Sequence, residues 1–109
     1  MASIPEPPPV NKGREVTPLL IDWLRGIGAS NSTISLIEAR RIYGLQKYGQ
    51  GLMTEDGRNT MEDARQEVGD LLQYLFKAFL RGEQPSAGDL SQMKEALRYC
   101  EMVVKALES

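Results

Sequence analysis

The sequence predicts an all-α domain, a bundle of about four helices. Three observations carry the class. Residues 59–81, NTMEDARQEVGDLLQYLFKAFLR, run without proline and contain one glycine, Gly69. Their apolar residues recur every three or four positions, the period of a helix rather than the alternation of a strand. A second such stripe fills residues 89–107, and no stretch of the chain alternates well enough to predict a strand.

Residues 1–16, MASIPEPPPVNKGREV, hold four of the six prolines and show no periodicity. They read as an extended or disordered tail of polyproline character, either a loose terminus or an arm that packs on another subunit. The domain proper is expected to span residues 17–109. Thr17-Pro18 supplies a cap followed by proline at a first helical position. That short helix carries Leu19, Leu20, Trp23 and Leu24 and should end between Gly26 and Gly28. Trp23 is expected in the core, with a ligand-facing place as the alternative.

A turn at Ala29–Thr33 offers several caps, and a second helix should run from about Thr33 to Tyr48. Ile34, Ile37, Ile42, Leu45 and Tyr48 share one face, and Glu38 and Arg41 lie inside the same arc. A carboxylate aimed into a core needs a partner or a metal. Three readings stay open for Glu38: an intrahelical pair with Arg41, a partner subunit, or a metal ion. Gly44, Gly49 and Gly51 should end the helix and give a loose loop through Arg58, with a turn at Asp56-Gly57. Arg58 beside the next helix N-terminus is equipment for a phosphate, or a solvated loop arginine.

The central helix opens with Thr60 as a hydroxyl N-cap and Glu62 and Asp63 in its first turn, and closes at Gly82. Met61, Ala64, Val68, Leu71, Leu72, Leu75, Phe76 and Phe79 form a broad apolar face. Asp63, Glu67 and Asp70 stack at i, i+4 and i+7 beside it. Like charges so spaced repel by a few tenths of a kcal/mol. A hard divalent cation would compensate, because Mg²⁺ and Mn²⁺ favour carboxylate oxygens, whereas a solvated acidic stripe needs none. Residues 83–88 form a linker. The last helix, about Asp89 to Leu107, carries Leu90, Met93, Ala96, Leu97, Cys100, Val103, Val104 and Leu107, a stripe for core packing or a subunit interface.

Composition narrows the chemistry. A chain of 109 residues supports one domain with a modest core. A net charge of −2 argues against nucleic acid, and the longest apolar runs are too short for a bilayer span. Cys100 is alone, so no internal disulfide forms; it is expected as a small core residue in a reducing cytoplasm. The sequence contains no histidine, which removes histidine-based triads and the usual zinc sites. Hydrolytic chemistry must then use carboxylates, lysine, arginine, tyrosine or a metal.

Glu38-Ala39-Arg40-Arg41-Ile42-Tyr43-Gly44-Leu45-Gln46-Lys47-Tyr48-Gly49 resembles the E-x-x-x-x-[FY]-G-x-x-K-Y-G segment of small MazG-like proteins of phages and bacteria. Gly57-Arg58 and Asp63-Ala64-Arg65-Gln66-Glu67-Val68-Gly69-Asp70-Leu71 resemble their G-R and D-A-x-x-E-x-x-D-L segments. The resemblance covers about residues 34–80. It implies an all-α nucleoside triphosphate pyrophosphohydrolase, assembled as a homodimer or a dimer of dimers. It implies Mg²⁺ or Mn²⁺ and cleavage between the α- and β-phosphates, giving a monophosphate and pyrophosphate. Glu67 and Asp70 match the family's E-x-x-D, and Glu38 matches the first acid of its E-x-x-E. The second acid of that motif is Arg41 here, with Asp63 as a substitute ligand. By the same resemblance Glu38 or Glu67 acts on the attacking water. Arg41, Lys47, Tyr48 and Arg58 face the substrate. A regular helix would aim Lys47 well away from Glu38, so Lys47 serves the same site only if the chain bends, or else serves a neighbouring subunit. The substrate class tilts toward deoxynucleoside triphosphates, purine ones included. The alternatives are a catalytically silent nucleotide-binding protein and a purely structural dimerisation module.

Overall fold

The structure, a computed structural model, describes residues 12–109; the reading of residues 1–11 as part of a tail lies outside the described residues. Two short strands and four helices follow in chain order: β1 (Lys12–Glu15), α1 (Val16–Gly26), α2 (Asn31–Tyr48), β2 (Met53–Glu55), α3 (Thr60–Leu80) and α4 (Ala87–Leu107). Helix accounts for 72% of the described residues, which makes the domain all-α in character.

The helix ends follow local chemistry. Helix α1 starts at Val16 behind Glu15, which makes no side-chain cap bond, so Thr17 is not the cap. Pro18 is the third helical residue, where backbone N–H groups still have no intrahelical acceptor and a missing one costs nothing. At its far end Gly28 takes φ +78°, and the Ala29 N–H donates back to the Leu24 carbonyl at 2.9 Å. Ser30 caps α2, its Oγ accepting from the Thr33 N–H at 3.2 Å. Asn59, rather than the expected Thr60, caps α3 through the Glu62 N–H, and Ser86 caps α4 through the Asp89 N–H. Each of these three caps is a side-chain oxygen satisfying an orphan donor. They start α2 and α4 two residues earlier than periodicity alone suggests.

The strands were not expected. Lys12 pairs with Glu55 and Glu15 with Met53, antiparallel, with an irregularity between them. Neither segment alternates, and their union is a contact between residues some forty positions apart, so no local pattern announces it. Two glycines make it possible. A Cβ on Gly13 would strike Thr54, and one on Gly51 would strike the Glu15 side chain. The last residues of the expected tail, 12–16, therefore belong to the domain.

Ile21 and Leu24 of α1, Ile34 of α2 and Tyr99 of α4 form the core, edged by Leu20, Ala29 and Ile37. Trp23, expected inside, stands 36% exposed with its ring edge-on to Tyr99, centroids 5.9 Å apart at 79°. Only the Ile34–Ile37 end of the α2 arc is well covered; Ile42 and Tyr48 are exposed.

The face by which α4 docks is the main departure from the predicted packing. Glu95 Oε1 accepts from the Ser30 N–H at 2.9 Å and from Ser30 Oγ at 3.0 Å. Gln92 Nε2 donates to the Ser32 carbonyl at 2.9 Å. Gln92, Glu95 and Tyr99 share a face at i, i+3 and i+7, and that mixed face meets α2. The reason is electrostatic: the N-terminus of α2 attracts a carboxylate, and hydrogen bonds to Ser30 and Thr33 hold Glu95 below its ordinary pKa. The apolar stripe is consequently left outside, with Val104 and Leu107 exposed and Cys100 exposed rather than in the core. Helix α3 goes further, for none of its residues is buried. Among the described residues no helix is long and apolar enough to cross a membrane.

Candidate functional site

A cleft of about 720 Å³ opens beside α2 and is closed by the β2 loop and the first half of α3. Leu20 and Ile37 give it an apolar floor. Helix α2 contributes Arg40, Arg41 and Tyr48 from successive turns, because positions 41, 44 and 48 share a helical face. Gly44 lies on that face and keeps it open. The loop adds Gly51, Asp56 and Arg58, and α3 adds Asp63, Gln66 and Glu67. A smaller recess of about 350 Å³ adjoins it, with Asp22, Arg25, Glu38 and Arg41 among its walls. Arg41 borders both.

Of the eight residues singled out from the sequence, Arg41, Tyr48, Arg58, Asp63 and Glu67 thus share the main cleft. Glu38 lies in the adjoining recess. Lys47 and Asp70 line neither space. The Lys47 ammonium lies 5.2 Å from the Tyr48 ring and 5.6 Å from the Tyr43 ring. Tyr48, then Tyr43, push its pKa up and keep it charged. The Arg40 guanidinium lies over the Tyr43 ring, 4.5 Å from its centroid.

Two forked ion pairs fix the arginines. Arg41 donates from Nε to Glu15 Oε2 and from Nη2 to Glu15 Oε1, both at 2.8 Å. That hydrogen bonding lowers the Glu15 pKa and raises that of Arg41. Arg58 donates from Nε to Asp63 Oδ2 at 2.9 Å and from Nη2 to Oδ1 at 3.1 Å. The Asp63 carboxyl is held below its usual range chiefly by the Arg58 hydrogen bond. The turn that brings Arg58 there is local: its N–H donates to Asp56 Oδ1 at 3.1 Å, and Gly57 takes φ +73°. The intrahelical Glu38–Arg41 pair does not form. Glu38 meets Arg25 of α1 instead, at 3.4 Å and with both side chains well exposed.

The donor type suits Mg²⁺ or Mn²⁺, since four carboxylates are available, but their placement does not. Among the described residues no three acidic or thiol side chains form a group that could hold a metal. Asp63, Glu67 and Asp70 follow one another along α3, while Glu38 opens into a different recess. One chain by itself therefore does not gather Glu38, Asp63, Glu67 and Asp70 around one point.

Sequence reasoning missed Glu15, Arg40 and Gln66. Gln66 carried a weak signal, lying one turn beyond Asp63 on the acidic side of α3. Glu15 carried none, because its role depends on the β1–β2 pairing. The arrangement as a whole combines arginines for an anion, a tyrosine and an apolar floor for a planar or greasy group, and carboxylates at the far wall. Comparison with protein-family models, with curated proteins and with solved structures gave no match.

Proposed function

We propose that this chain is a metal-dependent nucleoside triphosphate pyrophosphohydrolase of the MazG-like class, converting a (d)NTP to the monophosphate and pyrophosphate. The observation that carries the reading is the cleft, which gathers Tyr48, Arg58 and Glu67, residues the motif resemblance assigns to one site, together with Asp63 as the substitute ligand and Arg41 at the position where the motif departs. In this reading Arg41, Arg58 and Lys47 bind phosphate oxygens, and Tyr48 borders the nucleoside. Glu67, and Glu38 from the adjoining recess, orient or deprotonate the attacking water. Mg²⁺ or Mn²⁺ is part of the proposal as the ion of Glu38, Asp63, Glu67 and Asp70, brought together by a second copy seated on the open face of α3. The same open face supports a homodimer or dimer of dimers. Deoxynucleotides, purine ones included, are the favoured substrates.

The experiment is product analysis on a panel of dNTPs with Mg²⁺ or Mn²⁺. Pyrophosphate is the expected product, and orthophosphate in its place would rule out cleavage at the α–β bond. Glu67→Gln is expected to remove activity; full activity in that variant would remove Glu67 from the site. A second reading, a catalytically silent nucleotide-binding protein, is favoured by the separation of the acids and by Arg41 at the second-acid position. Calorimetry with a nonhydrolysable dNTP and metal, beside the turnover assay, separates the two.

A further inference from the structure

We propose that Glu15, on β1, positions the Arg41 guanidinium as an anion-binding group of the cleft, so that the N-terminal strand is a working part of the site. The inference rests on the phosphate-binding role given to Arg41 above. Four observations lead to it. The Glu15 fork engages Nε and Nη2 of Arg41, both at 2.8 Å. A guanidinium has five N–H donors, so three remain for another acceptor. Arg41 borders both the main cleft and the adjoining recess, whereas Glu15 lines neither. The carboxylate thus grips the arginine from behind and leaves its cleft side open.

The support is itself anchored to the cleft wall. Glu15 pairs with Met53, the Val16 N–H donates to the Leu52 carbonyl at 2.7 Å, and Leu52 and Met53 line the cleft. Gly51, in the same wall, has no Cβ where the Glu15 side chain passes. Arginine is a long, rotamer-rich side chain, and a fork that holds it spares an incoming anion that ordering. The opposing effect is the negative charge of Glu15, which repels the same anion. The Glu15 side chain is 24% exposed, so solvent screens only part of that repulsion. The two effects have opposite signs, so removing Glu15 decides between them.

The test is calorimetric titration of inorganic tripolyphosphate into the full chain. Wild type is expected to bind. Glu15→Ala should weaken binding about tenfold, the share of arginine side-chain ordering that the fork supplies. Glu15→Gln, which keeps one accepting oxygen, should fall between. Gly51→Ala displaces the Glu15 side chain while leaving both charges in the protein, and should weaken binding in the same direction; its circular dichroism melt shows whether the variant is folded. Glu15→Ala should add nothing to the loss caused by Arg41→Gln, because both remove one device. With nucleotide, Glu15→Ala should raise KM more than it lowers kcat. Equal or tighter tripolyphosphate binding by Glu15→Ala, additive losses, or a wild type that binds no tripolyphosphate would each overturn the proposal. Pyrophosphate release with KM unchanged in Glu15→Ala would overturn it while leaving the hydrolase reading intact. Glu15-dependent tripolyphosphate binding without turnover would uphold it and remove the hydrolase.

Discussion

Helices α1, α2 and α4 meet one another, whereas α3 carries the broadest apolar face in the chain and buries none of it. On one side Leu24 is 2% exposed and Thr33 is 1% exposed. On the other, Phe79 is 76% exposed and Val68 and Leu72 are nearly as open. Apolar content does not explain the difference, since both regions have the helical stripe of a core element. What differs is the presence of a docking partner. Helix α4 finds one through Glu95 and Gln92, which satisfy backbone groups at the start of α2. The apolar face of α3 presents carbon, which is satisfied by any apolar surface of the right shape. A patch of that extent is unusual for a lone soluble domain, and the proposed second copy would cover it.

The comparison is sharpened most by truncation on each side. Leu24→Ala should destabilise the fold by about 2 to 5 kcal/mol, the range for emptying a buried leucine site, measured by urea denaturation. Phe79→Ala should have an effect of that class only if α3 is covered by a second copy; on a solvated helix the change stays within about 0.5 kcal/mol. Light scattering on Phe76→Asp supplies the direct reading. A fall in molecular mass is expected, and an unchanged mass with unchanged stability would mean that α3 faces water.

Next in size is the response to metal. If the carboxylates of α3 and α2 are gathered in an assembly, Mn²⁺ at 100 times its dissociation constant should stabilise the fold by about 2.7 kcal/mol. The melting temperature should rise, and Glu67→Gln should abolish the rise. No response in wild type would leave those acids as a solvated stripe.

Acid pH gives a smaller and more gradual effect. Glu15, Asp63 and Glu95 have pKa values lowered by Arg41, by Arg58 and by the Ser30–Thr33 cap respectively. A lowered carboxyl binds fewer protons in the native state than in the unfolded one. Its contribution is therefore fully present above the ordinary values of 4.5 for Glu and 3.8 for Asp, and is lost as pH falls through the lowered native values. Melts between pH 7 and 3 should show a decline confined to the acid end, and Glu95→Gln should flatten it. The smallest effect is expected at Arg25→Ala, whose partner Glu38 is solvated; its melting curve should coincide with that of wild type.

Much of the fold was legible. Ser30 stood among the candidate caps, Gly28, Gly49 and Gly82 take positive φ at helix ends, and the stripes between them are long, whereas the caps Asn59 and Ser86 were passed over for Thr60 and a linker. These signals act within four residues, so the chain carries them openly. Tyr99 was missed because its stripe has a more apolar neighbour, Cys100–Val103–Val104, and periodicity ranks faces by carbon content alone. The candidate site was half legible. Arg41, Tyr48, Arg58, Asp63 and Glu67 stand at helical or turn spacings that can be counted, and the cleft does bring them together. Glu15 and Gly51 could not be counted, because their meeting requires β1 to cross a loop far along the chain.

The sequence by itself determined that there are four helices and roughly where each lies, since periodicity and turn chemistry are settled among near neighbours. Tertiary structure decided which helical face turns inward, which acid grips Arg41, and that the four candidate ligands stay apart in one chain. Those outcomes depend on competition between distant groups for the same hydrogen bonds and the same buried space, and no local pattern records who wins.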